Sequence, residues 1–141
     1  MNDVLVDSNV LLDVLTEDAR WLEWSSAVLA SVSTTAALVI NPIVFAEVSV
    51  AFARIEDVGE ALSGTVFRRE PLSYEASFLA GKAFVRYRRR GGVRSSPLPD
   101  FFIGAHAATA GYRLLTRDPR RYRDQFPTLE LVSPRLSPGA A

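Results

Sequence analysis

Val4-Leu5-Val6-Asp7-Ser8-Asn9-Val10-Leu11-Leu12-Asp13 sets a strand, an acid and a helix in immediate succession. Val4 to Val6 is short, apolar and mostly β-branched, the pattern of a buried strand. Ser8 and Asn9 are both good helix N-caps, and Val10-Leu11-Leu12 begins a helical pattern behind them. The stretch therefore predicts a carboxylate, Asp7, at the carboxyl end of a buried strand and beside a helix N-terminus. Open α/β sheets place their ligand and catalytic sites at that edge.

Outward from this stretch, three more segments set a lone acid beside a buried element. They are Asn41-Pro42-Ile43-Val44-Phe45-Ala46-Glu47, Leu98-Pro99-Asp100-Phe101-Phe102-Ile103-Gly104-Ala105 and Leu114-Leu115-Thr116-Arg117-Asp118. Asn41 reads as an N-cap with Pro42 at the first helical position. Glu47 borders the apolar stripe of that helix, where an unpaired carboxylate is costly to bury. Asp100 fits an N-cap or first-turn acid before a buried, Ala-rich helix from Phe101 to Gly111. Asp118 follows a strand at Arg113 to Leu115, so it belongs at the same sheet edge as Asp7.

The remaining elements follow from pattern. A helix is expected from about Ala19 to Ala30, with Trp21, Trp24 and Val28 on one face, either ordinary core or an aromatic groove for a partner protein. Ala37 to Ile40 reads as a strand, Glu56 to Phe67 as a short helix and Ser73 to Arg90 as a long one. On the long helix Tyr74, Phe78, Gly81 and Val85 form one stripe. Lys82, Arg86, Arg89 and Arg90 form another, and Gly91-Gly92 ends the helix. These cations suit either phosphate contact or the helix dipole. His106 has no nucleophile to pair with and reads as structural. Arg120 to Phe126 is a short helix and Leu129 to Val132 an edge strand. Residues 1–133 read as one domain and 134–141 as a flexible tail.

Composition excludes several chemistries. With no cysteine and one histidine among 141 residues, disulfides, thiolate zinc sites, cysteine nucleophiles and His-based metal clusters are ruled out. No apolar run approaches the roughly 20 residues of a membrane span, and no leader pattern opens the chain. A soluble, cytoplasmic protein is expected. The net charge of +0 is unevenly spread. Residues 1–70 hold 11 acids and 4 arginines; residues 71–141 hold 5 acids, 11 arginines and Lys82. A neutral total can thus carry a basic face for phosphates. GC-rich coding also inflates arginine, so the excess alone does not decide.

Four gathered carboxylates repel one another, by roughly 3 kcal/mol for a pair about 5 Å apart at an effective dielectric near 20. Protons or cations must compensate. Oxygen ligands without His or Cys select Mg²⁺ or Mn²⁺, which accept substrate phosphates as further ligands. Phosphodiester hydrolysis fits this equipment. A haloacid-dehalogenase-type phosphatase would need a second Asp where Asn9 stands. A phosphorylated receiver domain would need a Lys after a late strand, and Lys82 lies in a helix.

Together, the four acidic segments resemble the signature of the PIN-domain nucleases, and more closely of the VapC-type toxin ribonucleases, from about Val4 to Ser133. One segment carries little; all four, in this order and at these spacings, are specific. The resemblance implies an α/β/α sandwich with a central, mainly parallel sheet. It implies that Asp7, Glu47, Asp100 and Asp118 bind Mg²⁺ or Mn²⁺ and cut RNA, leaving a 5′-phosphate and a 3′-hydroxyl, with Asn9 and Thr116 in support. It also implies a small antitoxin partner and a homodimer; Trp21 and Trp24, with Leu12 and Leu15, are candidates for the antitoxin groove. Asp13 reads as a surface acid. The alternative is a non-catalytic RNA- or protein-binding module that keeps the acids as remnants.

Overall fold

The computed structural model describes residues 3–91 and 98–135. The strands among them are β1 (Val4–Val6), β2 (Leu38–Ile40), β3 (Phe67–Arg69), β4 (Arg113–Leu115) and β5 (Leu131–Val132). They form one sheet in the order β3-β2-β1-β4-β5, every pair parallel. Parallel neighbours cannot be joined by a hairpin. The crossovers are made by α1 (Ser8–Leu15), α2 (Leu22–Ser33), α3 (Pro42–Ser49), α4 (Ile55–Ala61), α5 (Tyr74–Arg89), α6 (Leu98–Ala110) and α7 (Arg120–Arg123).

Successive strand residues point to opposite faces of a sheet. All three residues of β1 and of β2 are buried, so helices cover both faces and the architecture is an α/β/α sandwich. The chain runs from β1 outward to β2 and β3, then returns across the sheet to β4 and β5. The direction of winding therefore reverses between β1 and β4, and the crevice outside their carboxyl ends is where such sheets bind ligands. Asp7 and Thr116 follow the last residues of those two strands.

Local chemistry sets several boundaries as expected. Asn41 accepts a hydrogen bond from the Val44 amide at 2.9 Å and Pro42 opens α3. Gly111, at φ +74°, lets the chain leave α6 while the Tyr112 amide donates back to the Ala107 carbonyl. Gly91, at φ +72°, ends α5 in the same left-handed region. Gly92, Arg94 to Pro97 and most of the expected tail lie outside the described residues.

Elsewhere the structure corrects the sequence reading. The expected helix from Glu56 to Phe67 is α4, which stops at Ala61; Phe67 to Arg69 is instead the edge strand β3, paired with Leu38 to Ile40. Only Phe67 of its residues is buried, so β3 has no alternating pattern to read. The second helix starts at Leu22 rather than Ala19, because Asp18 accepts from the amides of Arg20 and Trp21 and holds them in a turn. The first helix takes Asp7 rather than Ser8 or Asn9 as its N-cap residue, and that carboxylate makes no capping bond. The stripe of Tyr74, Phe78 and Val85 is exposed; α5 buries Ala76, Ala80 and Ala83 instead.

Candidate active site

β1 delivers Asp7 into the interior, where it is only 1% exposed. Its Oδ2 accepts hydrogen bonds from the Thr116 hydroxyl at 2.8 Å and the Tyr122 hydroxyl at 2.9 Å. Burial is the main influence on this carboxyl and pushes its pKa up, while the two hydroxyls favour the charged form. Thr116 does more than donate. Its oxygen accepts from the Asp118 amide at 3.1 Å and from the Asn9 side chain at 3.3 Å. Asn9 in turn accepts from the Arg117 amide at 3.4 Å. The turns after β1 and β4 are thereby tied together through Asn9 and Thr116.

Glu47 reaches toward the same place from α3, half-buried, with Oε1 accepting from the Ser8 hydroxyl at 2.8 Å. Burial raises its pKa, the Ser8 bond opposes that, and the charge of Asp7 raises it further. Asp100, in the first turn of α6, is 2% exposed, and its Oδ2 is buried with no hydrogen-bond partner. Burial, with the charges of Asp7, Glu47 and Asp118, pushes its pKa up to about 7 against the opposing pull of Arg121. Asp100 is thus within electrostatic reach of all three other acids. The structure brings the four together at the carboxyl edge although they span positions 7 to 118.

Two residues of this site carry no motif. Arg121 donates from Nε to Asp118 Oδ2 at 2.9 Å and places Nη1 3.6 Å from Asp100 Oδ2. Burial works against its charge, but Asp100, Asp118 and Asp7 outweigh burial and raise its pKa. Tyr122 is fully buried beside Asp7, and burial together with that carboxylate raises its pKa well above the usual phenol value. The only sequence hint of either is the run of arginines around one aromatic in Arg120-Arg121-Tyr122-Arg123.

The donor set is oxygen throughout, the kind of ligand that hard divalent ions take, and the buried Asp100 Oδ2 has no hydrogen-bond partner. Among the described residues no three acids are already spaced as a finished ion cage. Arg121 bridges two of them instead.

A family model, the PIN domain, matches residues 4–125. The chain belongs to the PIN domain family. None of the curated proteins compared with it matches. Among solved structures, this PIN domain is similar to VapBC2 from Rickettsia felis bound to a promoter DNA fragment, at 16% identity and TM-score 0.71, covering 92% of this chain and 97% of that one. It is similar to FitAcB from Neisseria gonorrhoeae at 18% identity and TM-score 0.69, covering 91% and 95%. A toxin–antitoxin complex from Klebsiella pneumoniae matches at 20% identity and TM-score 0.69, covering 94% and 98%. These likenesses concern the fold.

Other sequence candidates fall around the PIN core as follows. Lys82, Arg86, Arg89 and Arg90 are all exposed. α5 packs against α6, with Phe84 and Tyr87 both edge-on to Phe101 at 5.5 Å. The basic end of α5 therefore lies beside the start of α6, where Asp100 sits. Trp21 and Trp24 are half-buried and edge-to-face at 6.0 Å, with Arg20 and Arg117 over the Trp21 ring. Asp13 is not a surface acid. It is 2% exposed, and it accepts from Arg117 Nε at 2.9 Å and the Ser25 hydroxyl at 2.8 Å. Periodicity hid this, since its partner is 104 positions away. His106 is buried; the Asn41 amide donates to its Nδ1 at 2.9 Å, so its Nε2 carries the proton toward Glu70 at 3.3 Å. Among the described residues, no helix is long and apolar enough to cross a membrane.

Proposed function

We propose that this PIN domain is a Mg²⁺- or Mn²⁺-dependent endoribonuclease, the toxin of a VapBC-type toxin–antitoxin pair. The observation that carries the reading is Asp100: a buried carboxylate with an oxygen that has no hydrogen-bond partner, within electrostatic reach of three other acids. Such an arrangement costs stability in the free chain and has a use if a hard cation enters. Asp7, Glu47, Asp100 and Asp118 are the residues that would hold it. When bound, the ion supplies a Lewis acid that activates water and stabilises the leaving oxygen of a phosphodiester.

The chain's own contribution is positioning. Thr116 and Tyr122 fix the Asp7 carboxylate, and Ser8 turns Glu47 toward it. Asn9 and the Thr116 oxygen hold the Asp118 turn against β1. The exposed cations at the end of α5 would meet the phosphates of an RNA strand approaching Asp100.

The proposed partners follow from the solved relatives, which include toxin–antitoxin complexes. The half-exposed Trp21–Trp24 pair, with Leu12 and the exposed Leu15 on the preceding helix, would anchor a small antitoxin, since aromatic groups suit such interfaces. The exposed stripe of Tyr74, Phe78 and Val85 would meet a second copy in a cytoplasmic homodimer, which light scattering would register.

The deciding experiment is cleavage of total RNA with Mg²⁺ or Mn²⁺ and with chelator, for the wild type and Asp7→Asn. Metal-dependent cutting that Asp7→Asn abolishes, with new 5′-phosphate ends, supports the reading. Cutting that persists in chelator, or a wild type that binds RNA without cutting it under any metal, would replace it with a metal-independent enzyme or a non-catalytic RNA-binding module.

A further inference from the structure

Among the described residues, Arg121 is the one cation lodged within the acid site. Its Nε lies 2.9 Å from Asp118 Oδ2 and its Nη1 3.6 Å from Asp100 Oδ2. Its charge also acts on Asp7 and Glu47. At 3.6 Å the contact with Asp100 is attraction without a hydrogen bond, so Arg121 offsets part of that oxygen's charge and leaves its lone pair unused.

A guanidinium and a hard divalent ion compete for the same carboxylate oxygens, one as a planar fork and the other as an octahedral centre. The two cations would also repel each other across so small a space. Arg121 is free to give way. Its side chain is 40% exposed, and it stands on α7, a single turn of four residues. A displaced guanidinium would find its nearest new anion in a phosphate held at the same acids, whose geometry it matches.

We propose that Arg121 is a resident counter-cation that yields Asp100 and Asp118 to a divalent ion and then contacts the phosphodiester of the RNA strand. This rests on the metal-nuclease reading above, and the two are separable. Arg120 supplies the control: it is exposed, adjacent in sequence, carries the same charge, and among the described residues pairs with none of the four acids.

Mn²⁺ binding would be followed by electron paramagnetic resonance on the RNA-free chain, for wild type, Arg121→Met, Arg121→Lys and Arg120→Gln. Binding of a mixed-sequence single-stranded oligoribonucleotide would be measured with Ca²⁺ present and cleavage checked to be absent. The expected result is Mn²⁺ affinity roughly tenfold higher in Arg121→Met, intermediate in Arg121→Lys and nearly unchanged in Arg120→Gln. Arg121→Met should also hold the oligoribonucleotide several-fold more weakly. Arg121→Lys keeps the charge and serves if Arg121→Met fails to fold. Equal gains in Arg121→Met and Arg120→Gln would mean a general field effect and overturn the proposal, as would unchanged Mn²⁺ affinity. Tighter Mn²⁺ with unaltered oligoribonucleotide binding would overturn the transfer to phosphate. Wild-type Mn²⁺ binding without these changes sinks this proposal alone; no Mn²⁺ binding by any form sinks the nuclease reading with it.

Discussion

Without metal, Asp100→Asn should stabilise the chain at neutral pH and leave it nearly unchanged near about pH 4. The Asp100 carboxyl is raised from an ordinary 3.8 to about 7 by burial and by the three neighbouring acids. As pH rises, the unfolded chain therefore loses this proton before the folded chain does. The stability this group contributes is full below about 4, falls as pH climbs through about 7, and is flat above that. The gap is worth on the order of 4 kcal/mol at about 1.4 kcal/mol per pH unit. Water reaches the site's rim at Asp118 and Arg121 and screens it, leaving about 2 kcal/mol. In a domain of this size that is about 6 °C in Tm. The assay is a set of melting curves in chelator from about pH 4 to 8, with the wild-type and variant curves converging at the acid end. A variant that melts below the wild type at the alkaline end would show that attraction to Arg121 outweighs the repulsion, and the reasoning would fail.

Asp13 is the contrasting acid. Asp13→Asn leaves Arg117 and Ser25 without their charged partner, and it should cost roughly 3 kcal/mol by denaturant titration whether or not metal is present. Gly104→Ala would set a Cβ against the Phe126 ring, so the ring must move; about 1–3 kcal/mol should be lost, read as a lower Tm. Neutralising Arg86 and Arg89 together should flatten the salt dependence of single-stranded RNA binding by about 0.7 per lost contact. An unchanged slope would return the stripe to a helix-dipole role.

The central strands were legible because they are buried on both faces. Val4 to Val6 and Leu38 to Ile40 read as unbroken apolar runs, and both are. The α3 start was equally plain, since Asn41 and Pro42 act through their own backbone neighbours. β3 was not legible, because Phe67-Arg68-Arg69 sits at the sheet's edge and owes its extended form to pairing with β2 rather than to its composition. In the site, acids on predicted strand ends and helix starts could be placed, as each follows a local element. Asp13, Arg121 and Tyr122 could not, because each takes its role from a partner, distant in the chain for Asp13 and Tyr122, that no periodicity encodes.

The Thr116 and Tyr122 hydroxyls cross 109 and 115 positions to reach Asp7. On the ribosome Asp7 is made 109 positions before one hydroxyl partner and 115 before the other. Until those positions are made, β1 has no β4 to lie against, and its acid has neither hydroxyl. A nascent chain halted before Tyr122 would carry an incomplete centre.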